Sequence, residues 1–109
     1  MSEEGASPAT AQGFAHCEKP ERYIQQLVSH WSHKMATSYD AKGPGGDGMG
    51  AFPFSETENA VMTARPGGIA ITLVTGDQAR NEHMRGVIER HIDRFAFREA
   101  PLTYEWKEQ

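Results

Sequence analysis

Apolar residues return along this chain with two different periods, and the changes of period mark out its elements. Ile24, Leu27, Val28, Trp31 and Met35 fall at i, i+3, i+4, i+7 and i+11, which gathers them into one stripe of a helix lying on an apolar surface. Pro20 suits the first turn of that helix, and Glu18 and Glu21 complement the positive end of its dipole. A second stripe is formed by Met84, Val87, Ile88, Ile92 and Phe95. Asp77 is a good N-cap for the helix that carries it, which the spacing predicts to run to about Phe95. Elsewhere the period is two. Residues 59–64 and 69–75 alternate as strands do, joined by Arg65-Pro66-Gly67-Gly68, whose Pro-Gly pair suits a hairpin turn. Ile69, Ile71 and Leu73 then share one face, which is assigned to the core. Gly13–Cys17, Thr37–Asp40 and Leu102–Trp106 read as further strands. Ala51–Phe54 is a strand only at an edge or a strand end, because Pro53 has no N–H to donate.

The resulting order is β-α-β-β-β-β-α-β. Hairpin-connected strands in runs, with helices between the runs, predict an α+β two-layer sandwich. Two amphipathic helices then cover one face of a mostly antiparallel sheet. Residues 1–12 are too poor in apolar side chains to offset their ordering and are expected to form a flexible tail. Residues 13–109 form a single domain, interrupted by a glycine-rich loop at 41–50.

Composition narrows the functional classes. With 109 residues the chain holds one domain. Eleven Lys and Arg against fifteen Asp and Glu leave a formal charge of −4, so no basic footprint for nucleic acid or an anionic membrane is expected. No apolar run approaches the roughly 20 residues needed to cross a bilayer, and no secretory signal opens the chain. The single cysteine, Cys17, allows no internal disulfide and fits the cytoplasm.

Candidate chemistry is sparse. Gly43-Pro44-Gly45-Gly46-Asp47-Gly48 matches G-x-G-x-x-G in form, but it runs into Met49-Gly50-Ala51-Phe52-Pro53 and not into a helix start. A phosphate-cradling site needs that helix, so the stretch reads as a connector, and no cofactor is expected. His30 and His33 stand three apart near the end of the first helix, a spacing that can present two nitrogens to one metal. The wheel puts Trp31 at the centre of the buried stripe, His30 on its flank and His33 toward solvent. His91 falls in the middle of the second stripe, where burial obliges it to find a hydrogen-bond partner. The first expectation is a satisfied core histidine; the functional version has it line a pocket between helices and sheet, facing Trp31 or Trp106. Arg94 flanks the same stripe and can offer a guanidinium to an anion. Five arginines against four acids over residues 80–99 leave too little charge for a phosphate-binding stripe. His16 and His83 are expected at the surface. Neighbours in a strand point to opposite faces, so His16 and Cys17 make no dyad.

Two segments resemble the signatures of a small bacterial family known as domain of unknown function 2218. The first is Arg22-Tyr23-Ile24-Gln25-Gln26-Leu27-Val28-Ser29-His30-Trp31-Ser32-His33-Lys34. The second is His91-Ile92-Asp93-Arg94-Phe95-Ala96-Phe97-Arg98-Glu99, followed by Trp106. The resemblance spans about residues 13–107 and implies an association with siderophore-interacting flavin reductases, and so with iron utilisation. It assigns no catalytic residue. It directs attention to His30, Trp31 and His33 in the first segment and to His91, Arg94 and Glu99 in the second. If the helices lie side by side, the two groups converge at one end.

The leading expectation is therefore a non-enzymatic binding module using His30, Trp31, His33, His91, Arg94 and Glu99. A metal-dependent enzyme with His30, His33 and His91 as candidate ligands is the alternative from another class. The third reading makes both segments structural, with the surface engaging another protein.

Overall fold

The computed structural model describes residues 8–42 and 48–108. Six strands and two helices follow in the order β1 (Ala9–His16), α1 (Pro20–Trp31), β2 (Ser38–Asp40), β3 (Met49–Pro53), β4 (Asn59–Arg65), β5 (Gly68–Thr75), α2 (Gln78–Phe95) and β6 (Thr103–Glu108). The strands form one sheet in the order β2-β3-β4-β5-β1-β6, and every pairing is antiparallel. Both helices pack on one face, giving the expected α+β architecture. The opposite face carries half-buried Phe14, Val61, Thr63, Ala70, Thr72 and Val74.

Alternation explains which face is covered. Ile69, Ile71, Leu73 and Thr75 of β5 are buried, as are Ala60, Met62 and Ala64 of β4 and Ala11 and Ala15 of β1. Tyr23, Ile24, Leu27 and Trp31 of α1 and Met84, Ile88 and Ile92 of α2 meet them. Burial of this much apolar surface is what holds the layers together. At the start of α2 the Asp77 side chain accepts from the Arg80 N–H at 2.8 Å, satisfying one of the helix's free donors. Pro20 stands at the start of α1, where no side-chain cap is made.

Several boundaries differ from those the pattern predicts. β1 begins at Ala9, four residues before Gly13, so residues 9–12 pair with β5 where a flexible tail is expected. Alanine gives little periodic signal. What orders this stretch is tertiary: the Asn81 side chain, fully buried on α2, donates to the Ala9 carbonyl at 3.1 Å. α1 ends at Trp31, one turn short of Met35, which packs against the core from the following turn. β3 starts inside the glycine-rich stretch at Met49 and ends on Pro53, at the strand end the missing N–H requires. Residues 1–7 of the expected tail and 43–47 of the loop lie outside the described residues.

Candidate functional site

Where α1 and α2 approach each other, their last turns bring four rings together. The His91 and Trp31 ring centroids are 4.6 Å apart with an interplanar angle of 35°. His30 sits 5.5 Å from His91 and 5.5 Å from Phe95, edge-on to the latter. Trp31 continues the array inward, T-shaped against Phe52 at 5.5 Å and Phe54 at 5.1 Å. The convergence expected for the two segments is real for these residues. It follows from the two apolar stripes: each histidine belongs to a stripe or its flank, so docking the helices on one sheet brings them together.

His91 is half-buried, not enclosed as its position in the stripe suggests. The reason is its place on the flank of the buried line Met84, Ile88 and Ile92, in file with half-buried Val87 one turn earlier. Its Nδ1 lies 2.7 Å from the Val87 carbonyl oxygen. A carbonyl only accepts, so Nδ1 carries the proton and the Nε2 of the neutral ring keeps its lone pair. Of the two tryptophans expected to face it, Trp31 does. Trp106 instead donates from Nε1 to Glu89 Oε2 at 2.8 Å, beneath the Arg85 guanidinium. Partial burial is the largest influence lowering the pKa of His30, followed by the nearby cationic groups of His91, Arg94, Lys34 and His33.

The remaining candidates divide. Arg94 is exposed at the rim, its guanidinium 6.0 Å from the Phe95 ring centre. His33 is exposed beyond the end of α1 and stands outside the ring array. Glu99 belongs elsewhere: it accepts from Tyr23 Oη at 2.6 Å and from the Glu18 backbone N–H at 3.0 Å. The turn after α2 carries it back to the opening of α1, and there it ties two elements together. Among the described residues no group of three or more His, Cys, Asp and Glu stands close enough to hold a metal. His30 and His91 alone make an incomplete ligand set.

Sequence reasoning missed two features. Tyr104 Oη donates to Asp93 Oδ1 at 2.7 Å and lies 3.1 Å from the Glu89 carbonyl. Burial and this carboxylate push the Tyr104 hydroxyl strongly up, so it stays protonated. A cleft of about 710 Å³ also opens between α1 and the turn after α2, lined in part by Arg22, Tyr23, Gln26, Phe97 and Arg98. Arg22, Tyr23 and Gln26 share a face by their spacing, a signal present in the sequence. Nothing linear showed that residues 97–99 fold back over them. Cys17 is buried beside this region, and its thiol is pushed up to about 11, chiefly by burial and then by Glu99.

Comparison with known proteins agrees with this architecture. The family model described as an uncharacterized protein conserved in bacteria (DUF2218) matches residues 12–107. The NMR structure of PA4090 from Pseudomonas aeruginosa superposes with a TM-score of 0.70 at 22% identity, covering 91% of this chain and 95% of that one. At that identity the likeness shows the fold alone. None of the curated proteins matches the chain.

Proposed function

The chain belongs to the DUF2218 family, and from that starting point we propose that it is a non-enzymatic binding module. Its recognition surface is the His30–Trp31–His91 cluster, with Phe95 and Arg94 at the rim. The carrying observation is the pair of imidazoles 5.5 Å apart, both partly open to solvent and backed by a buried indole. Such a surface offers flat faces for stacking, a free Nε2 on His91 and a guanidinium nearby for negative charge. Among the described residues no serine or cysteine hydrogen-bonds to either imidazole, as an activated nucleophile would. Cys17 is held as a thiol.

The iron-related part of the proposal rests on the family resemblance. Ferric catecholate siderophores are anionic and carry planar chelating groups, a chemistry this cluster suits. A siderophore-interacting flavin reductase is the protein partner proposed with it. The domain is proposed to work in the cytoplasm, where Cys17 stays reduced.

The test is an amide-shift titration with a ferric catecholate siderophore, with flavin mononucleotide and with the reductase. Saturable shifts centred on His30, Trp31, His91 and Arg94 with any of them support the proposal. Silence at these residues with all three removes it. One observation favours a second, structural reading: Trp31 is only 4% exposed and closes the end of the core on Phe52 and Phe54. In that case the cluster stabilises the fold and another surface does the binding.

A further inference from the structure

The cleft between α1 and the turn after α2 has features that the fold leaves unused. Its volume of about 710 Å³ lies within the range of small-molecule sites. Glu18, Lys19, Arg22, Tyr23 and Gln26 form one wall, and Phe95, Phe97, Arg98 and Glu99 the other. Glu99 is engaged by Tyr23 and the Glu18 N–H, neutral donors that hold its carboxylate in place without cancelling its charge. Arg22 and Arg98 have no ion-pair partner among the described residues, although both border the same space. Lys19, Arg22 and Arg98 outnumber the two carboxylates of the lining, Glu18 and Glu99, so the mouth keeps a net positive charge.

Two further observations point to an occupant. Gln26 Oε1 is shielded from solvent and accepts no hydrogen bond among the described residues. A buried acceptor without a donor costs free energy unless something fills its valence. Phe97 is 70% exposed and is the exposed large apolar side chain of the described residues. Its ring lies 5.7 Å from the Arg98 guanidinium carbon, so an apolar surface and a cation are presented side by side.

We propose that this cleft is a second binding site, for a small organic anion whose carboxylate or phosphate is attached to a flat apolar body. Arg22 and Arg98 hold the anion by charge-assisted hydrogen bonds. Phe97 covers the apolar body. Gln26 Oε1, shielded in the unliganded cleft, accepts from an N–H or O–H of the ligand once its side chain turns toward the mouth. The site is distinct from the His30–His91 cluster, with Phe95 forming the ridge between them: one side of that ring meets His30 and it also borders the cleft.

The experiment is an NMR titration of the full chain with phenyl phosphate, benzoate, inorganic phosphate and benzyl alcohol as probes. Saturable shifts are expected at Arg22, Gln26, Phe97 and Arg98 with phenyl phosphate, benzoate or both, which tells whether phosphate or carboxylate is preferred. The aromatic anion is expected to bind at least about tenfold more tightly than inorganic phosphate or benzyl alcohol. Arg22→Gln with Arg98→Gln, both at exposed positions, should weaken it by about tenfold or more and leave the spectrum outside the cleft unchanged. Phe97→Ser should weaken the aromatic anions and leave inorganic phosphate unaffected. No saturable shift at these four residues, an equal response to benzyl alcohol, or binding indifferent to the arginine replacements would each overturn the proposal. Shifts confined to His30 and His91 would do so as well, while supporting the cluster.

Discussion

Partial burial, and then the neighbouring His91, discourage a positive charge on His30. The lowered pKa of His30 means that the unfolded chain binds a proton more readily than the folded one. Folded stability is therefore present in full above the ordinary histidine value of about 6.5 and declines as pH falls below it toward the folded value. An anionic ligand reverses the penalty by supplying the counter-charge, so its affinity should rise as pH falls over the same interval. Binding isotherms at pH 7.5 and pH 5.5 check this, and equal affinity at both would speak against His30 as a contact. Glu99 makes a prediction of a different kind. Tyr23→Phe removes one good hydrogen bond and is expected to cost about 1 kcal/mol in chemical denaturation. Glu99→Ala also abandons the Glu18 N–H and should cost more. The pairing raises the Tyr23 hydroxyl to about 12, the carboxylate acceptor being its largest cause. The phenol thus stays protonated at neutral pH. That Glu99 serves as a tie and not as a ligand was illegible in the sequence, because its partners lie 76 and 81 positions away.

The elements were legible to differing degrees, for physical reasons. α2 announces itself at both ends, with Asp77 capping its start and an apolar stripe whose last member, Phe95, is its last residue. The β4–β5 hairpin was equally plain, since Gly67 adopts φ 87° in the turn between two alternating runs. β1 was half hidden because its inward residues are alanines, and their burial is decided by what stands over them. Asn81 is that partner: it donates to Ala9 and Leu73 and accepts from Arg85 Nε at 2.8 Å. Asn81→Leu leaves buried carbonyls without donors and is expected to cost about 2–3 kcal/mol, with amide exchange accelerating first in β1. Gly68 sets a stricter limit, because a Cβ there would fall onto the Ala15 carbonyl oxygen. Gly68→Ala should force β1 and β5 apart and cost about 3 kcal/mol, measurable as a lowered denaturation midpoint. The ring cluster at the ends of the helices was visible as two stripes with histidines upon them. The second cleft was not, since it depends on how residues 96–99 turn after α2.

On the scale of the molecule, the six-stranded antiparallel sheet with two helices on one face leaves its chemistry at the helix ends. The interior of the sheet is aliphatic and aromatic, and its one buried carboxylate near the helix layer among the described residues, Glu58, is matched by Arg80 at 2.6 Å. The Arg80 hydrogen bond is the main cause holding Glu58 below its ordinary value of 4.5. Its stabilising effect is therefore present above that value and fades as pH falls through the lower folded one. Glu58→Gln should accordingly destabilise the fold at pH 7 and much less at pH 3. No helix among the described residues is long and apolar enough to cross a membrane, and the two concave or ring-lined surfaces both lie along α1 and the end of α2. Whether the ring cluster binds, or merely packs, is tested most directly by His91→Leu, which keeps the volume of the side chain and removes its nitrogens. Titrated with a ferric catecholate siderophore beside a thermal melt, the variant is expected to lose about tenfold or more in affinity while melting within a few degrees of the parent. Unchanged affinity together with a shifted melting temperature would contradict binding at the cluster and assign it to the core.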